Sequence, residues 1–145
     1  MKQKRILLWI SVFLICGYVF LSNVKVADNT PQETKMNRCL HYRQVVYLYF
    51  YRPADADFKR IESELKFIED GYGDDVCVLY VRADDVNEKK FRDKFKVLPD
   101  ENVVIIVLPS GDIFSRLRQD DITKENLQKI FAGPCGEGVC GFGSI

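Results

Sequence analysis

Seven consecutive residues, Val45 to Tyr51 (VVYLYFY), are all β-branched, aliphatic or aromatic, with no polar residue among them. A strand with one wet face alternates apolar and polar side chains, so this run predicts a strand buried on both faces, central in a sheet with layers above and below. Val76 to Arg82 (VCVLYVR) reads as a second buried strand, and Val103 to Leu108 (VVIIVL) as a third. Between the first two, Phe58, Ile61, Leu65 and Ile68 recur at helical spacing as far as Gly71, with Asp55 or Asp57 placed to cap the first turn. Asp85 followed by Glu88 resembles a capping box opening a helix that carries Phe91 and Phe95. Pro109-Ser110-Gly111-Asp112 is a tight turn into Ile113–Arg118, predicting an antiparallel hairpin. Thr123 caps a last helix whose Leu127, Ile130 and Phe131 face the core, with Ile122 as a staple and Gly133-Pro134 as the stop. A helix joining the first two strands makes them parallel with a right-handed crossover, so the sheet is mixed.

The N-terminus imposes a different constraint. Ile6 to Leu21 is almost unbroken apolar sequence behind Lys2, Lys4 and Arg5, the pattern of a segment that stays in the membrane with its basic end in the cytoplasm. It is shorter than the roughly 20 residues a spanning helix needs, and Ser22 to Val26 complete it if Lys25 snorkels. Cleavage after Ala27 would put Lys25 at −3, where a signal peptidase wants a small residue, so an uncleaved anchor is favoured over a removed signal peptide. Cys16, with no small residue just before it, reads as an apolar residue of that segment. The organisation expected is an anchor or signal peptide over 1–27, a polar spacer over 28–40, one domain over 41–132 and a Gly/Cys-rich tail over 133–145. The compact, Lys-rich apolar start suits a bacterial export signal.

Charge narrows the partners. The chain holds 21 basic and 21 acidic residues, but the first 26 residues take four of the basic ones and no acid, leaving 17 against 21, a net of −4. An acidic domain without a basic stripe argues against nucleic acid, because phosphate neutralisation needs clustered Lys and Arg. The expected partners are the membrane, through the N-terminal helix, and a partner protein.

The element order and the segment Tyr49-Phe50-Tyr51-Arg52-Pro53-Ala54-Asp55-Ala56-Asp57-Phe58 resemble the thioredoxin-like superfamily, in which an aromatic strand end and a Pro lead into Cys-x-x-Cys at a helix start. The resemblance covers roughly residues 45–132 and implies an α/β fold: a thioredoxin-like mixed sheet of about four strands flanked by helices, here preceded by one N-terminal membrane helix. It also implies that the usual redox site is degenerate, because Asp55 and Phe58 stand where the family keeps its two cysteines. A thiol at a helix N-terminus is held as reactive thiolate by the helix dipole. A carboxylate in that place cannot attack sulfur. The family's cis-Pro beside the site has its counterpart near Val103, counting back from Gly111, whereas Pro99 lies four residues too early.

Outside the membrane segment lie Cys39, Cys77, Cys135 and Cys140, an even number in an oxidising compartment, with three possible pairings. Cys77 alternates with core residues and reads first as a small buried hydrophobe. Cys135 and Cys140 sit among glycines that let the backbone close a local disulfide, either a structural clasp or a displaced redox pair. His41 is the only histidine and reads as a surface or packing residue; no metal site and no cofactor motif is expected. The leading functional expectation is a membrane-tethered, extracytoplasmic accessory or binding module without the usual redox site. The alternative is a thiol-disulfide oxidoreductase, or a soft-metal-handling protein, that uses Cys135 and Cys140.

Overall fold

The computed structural model describes residues 29–132, so the expected anchor, Cys135 and Cys140 lie outside the described residues. Among the described residues no helix is long and apolar enough to cross a membrane. The elements run α1 (Pro31–His41), β1 (Val45–Tyr51), α2 (Phe58–Tyr72), β2 (Val76–Arg82), α3 (Lys89–Lys94), β3 (Val103–Val107), β4 (Ile113–Arg118) and α4 (Lys124–Gln128).

The four strands make one sheet in the order β2-β1-β3-β4. Strands β1 and β2 are parallel, pairing Val46 with Cys77 and Tyr51 with Arg82, while β3 lies antiparallel to both β1 and β4. The apolar run that opens the domain core therefore sits inside the sheet, with its first six residues buried. Alternate residues feed two cores. Val46, Leu48 and Phe50 join Met36, Phe91 and Phe95 on one face; Tyr47 and Tyr49 join Ile61, Leu65, Ile68, Ile122 and Leu127 on the other. The Tyr47 hydroxyl donates to the Leu127 carbonyl at 2.7 Å, fixing α4 over the middle of the sheet. Burial pushes that hydroxyl's pKa well above the ordinary tyrosine value.

Four expectations change. Much of the stretch expected to be a spacer is α1, an 11-residue helix with Thr30 accepting from the Glu33 N–H and Pro31 at its first turn. It buries only Met36 fully, which is why no apolar periodicity announces it. Strand β2 lies at the sheet edge, so although Val76 and Val81 are buried in the two cores, Cys77 to Tyr80 are partly exposed. The capping box at Asp85 does not close. Asp85 accepts from the Asn87 N–H, and the Glu88 carboxylate turns instead to the Gln32 N–H at the start of α1. Finally α4 is short, leaving Ile130 and Phe131 in a turn where Phe131 stacks on Tyr72 at 3.8 Å between centroids. Thr123 does cap it, accepting from the Asn126 N–H.

Candidate functional site

The end of β1 and the start of α2 meet at the Arg52–Asp57 turn, and the side chain that organises it is Asp55. Its Oδ1 accepts the Asp57 N–H at 2.8 Å, an Asx turn that bends the chain into the helix. Its Oδ2 accepts from the Asn102 amide and lies 3.7 Å from the Arg52 guanidinium. Asn102 closes the ring, since its Oδ1 accepts the Arg52 N–H at 3.1 Å. Three segments far apart in sequence, the β1 exit, the α2 entrance and the residue before β3, are thus tied by two side chains that are only 11 % and 5 % exposed.

The two acids divide the work. Asp57 is the N-cap residue by position but makes no side-chain cap bond, pairing instead with Arg60 at 3.3 Å. The Arg60 guanidinium in turn donates to the carbonyl of Ile122, which brings the start of α4 to the same pole. Phe58, the first residue of α2, packs against Tyr51 and Tyr49 at 4.9 and 6.1 Å between centroids, so an aromatic plug fills the second of the positions matched to the family's cysteines. Tyr49 is fully buried there, its hydroxyl has no hydrogen-bond partner among the described residues, and its pKa is driven up by burial and then by Asp55 and Asp57.

Val103, near which the counterpart of a cis-Pro was expected, opens β3, and Asn102 stands immediately before it. Among the described residues no peptide bond is cis, Pro99 included. In the sequence, only its place beside Val103 singles out Asn102. Next to it a polar cleft of about 330 Å³ is lined by Leu98, Asp100, Glu101, Asn102, Arg118 and Gln119, with Arg118 and Glu101 paired at 2.7 Å.

The sulfur chemistry of the described residues lies elsewhere. Cys39 and Cys77 form a disulfide that ties α1 to β2 across 38 residues of sequence, so Cys77 is a cross-link and not merely a small hydrophobe. Cys77 pairs with Val46, five residues along the sheet from the Tyr51–Arg82 end, or about 17 Å from the mouth of α2, and on the opposite face. His41 is exposed at the end of α1, edge-on to Tyr42 at 5.6 Å. Asp84 pairs with Arg82 at 2.9 Å, and that hydrogen bond lowers its pKa. Among the described residues no group of three His, Cys, Asp or Glu side chains is arranged to hold a metal ion.

No family model matches the sequence, and no curated protein matches it. Solved structures do. Thioredoxin-2, described as a component of malaria parasite protein secretion machinery, superposes with a TM-score of 0.52 at 18 % identity, over 61 % of this chain and 82 % of its own. The germline-specific thioredoxin Deadhead of Drosophila melanogaster gives 0.55 at 16 % identity, over 68 % and 88 %. A designed protein gives 0.56 at 12 % identity, over 77 % and 100 %. At such identities these similarities speak to architecture. The chain has a thioredoxin-like fold.

Proposed function

We propose that this chain is an accessory or binding module of thioredoxin-like fold, tethered outside the cytoplasm by its N-terminal apolar segment, with a helix mouth that no longer carries sulfur chemistry. The observation behind this reading is the engagement of Asp55. Both of its oxygens are occupied by Asp57, Asn102 and Arg52, so the carboxylate serves as a tie between segments and is not presented to a substrate. Phe58 closes the neighbouring position with an aromatic ring. A disulfide between Cys39 and Cys77 supports placement in an oxidising compartment.

Insulin reduction by the purified full-length chain tests the first half: no turnover above the reductant alone is expected. Turnover that disappears in Cys135→Ser would overturn the module reading in favour of thiol-disulfide exchange by Cys135 and Cys140. The tether is tested by alkaline extraction of membranes and by protease added to intact cells. The chain is expected to stay with the membrane and to be cut from outside; release into the soluble fraction would sink that part.

A further inference from the structure

The sheet has two edges, and they are built differently. The β4 edge carries Arg116 and Arg118 and a register irregularity where it meets Ile106 and Val107, the usual devices against unwanted pairing. The β2 edge has neither. Its sequence VCVLYVR holds no Pro and no charge before Arg82, its register with β1 is continuous, and Cys77, Val78, Leu79 and Tyr80 are all partly exposed. Among the described residues nothing pairs with its outer side, so a row of backbone N–H and C=O groups is left open beside apolar side chains.

The charges beside this edge indicate what fits it. Glu62 and Glu69 are exposed and stand seven residues apart on α2, hence on one stripe of the helix that packs over Val76, Val78 and Tyr80 of β2, and their charges raise the pKa of the Tyr80 hydroxyl. Neither has an ion-pair partner among the described residues, whereas Lys66 is taken by Asp70 and Arg82 by Asp84. Tyr80 also meets Tyr51 edge-on at 6.4 Å, so the aromatic surface beside β2 continues to the end of β1. Carboxylates next to aromatic faces favour ammonium and guanidinium groups.

We propose that the open edge of β2 docks an extended segment of a partner protein that adds as a further strand and sets lysine or arginine side chains against Glu62, Glu69 and Tyr80. Main-chain hydrogen bonds to β2 supply the affinity, and alternate basic side chains supply the specificity. A second copy of this chain fits less well. Antiparallel pairing of two β2 edges about a two-fold axis puts both α2 helices on one face and brings Glu62 and Glu69 of each copy towards those of the other, where like charges repel. This inference deepens the module reading by naming its docking surface, and the two fail separately: the module falls on disulfide turnover, the edge on the binding experiment below.

The test uses the full-length chain and three synthetic peptides: one alternating lysine and threonine, one alternating glutamate and threonine, and a copy of the first with proline at a central threonine. The lysine peptide is expected to bind and to slow amide exchange along residues 76–82. The proline copy should bind about tenfold more weakly, because proline has no backbone N–H to donate to the strand. In Glu62→Lys/Glu69→Lys, on an exposed helix stripe where folding is preserved, the lysine peptide should lose about tenfold and the glutamate peptide should gain about as much. Equal binding of the lysine peptide to both forms, equal binding of the proline copy, protection anywhere other than β2, or no binding at all overturns the proposal.

Discussion

Removing the Cys39–Cys77 cross-link is the perturbation whose size follows most directly from the fold. The disulfide closes a loop of 38 residues. In the chain-entropy model, opening such a loop returns about 13 cal/mol/K to the unfolded chain, or about 4 kcal/mol at room temperature. The native side has little to offset this. α1 buries Met36 fully and Leu40 in part, and its other ties are single contacts: Glu33 to Lys94 at 2.7 Å and the Gln32 N–H to Glu88 at 3.4 Å. With an unfolding entropy of about 2.1 cal/mol/K per residue over about 100 residues, 4 kcal/mol lowers Tm by about 20 °C. The measurement is thermal unfolding of the full-length chain by circular dichroism, comparing the oxidised protein with Cys39→Ala/Cys77→Ala. Reductant should bring the parent to the variant's Tm and leave the variant unmoved. A fall of less than about 5 °C would refute the reasoning, because α1 would then be held by packing that the burial pattern does not contain.

Asp55→Ala should cost about 2–3 kcal/mol in urea unfolding, since it strands the buried Asn102 amide as well as the Asp57 N–H; Asp55→Asn should recover only part of it, because its single amide oxygen can accept from one of these donors while its NH2 faces the other. A loss below about 0.5 kcal/mol would mean the ring of bonds at the mouth is dispensable. Tyr80, held protonated by burial and then by Glu62 and Glu69, is pushed up to about 12. Its folded pKa exceeds the unfolded value, so its contribution to stability is complete below about pH 10 and is lost as pH rises towards 12. Ultraviolet titration should show a late tyrosine step that Tyr80→Phe removes and Glu62→Gln/Glu69→Gln moves down; an unmoved step would place the acids away from the ring. Thr123→Ala should destabilise by about 1 kcal/mol through loss of the cap on Asn126, read by the same urea curve, and no change would mean that α4 is held by Leu127 and Tyr47 alone.

Elements with one dominant local signal were legible. VVYLYFY could only be a strand covered on both faces, the Phe58–Ile68 spacing could only be a helix on the core, and the Pro109–Asp112 turn required a hairpin. The parts that escaped are held together by partners remote in sequence. α1 lacks an apolar stripe because a covalent bond to β2 does part of what burial does in other helices; only Thr30-Pro31 with Glu33 three residues past the cap carried its signal. Asn102 looks like a loop residue until Asp55 and Arg52, 47 and 50 positions away, fold against it. Glu88 was expected to serve its own helix, yet the first turn there is a 3-10 segment and its carboxylate accepts the Gln32 N–H at the start of α1. The edge character of β2 belongs to the same class, because its side chains feed both cores whether or not a further strand pairs beside it, and the apolar run is similar in either case. Cys77 and Tyr80 lie on that one strand, the first clasped to α1 and the second facing the acids of α2. Helices on both faces therefore hold an unpaired edge rigid, and a rigid edge adds a strand without first having to order itself.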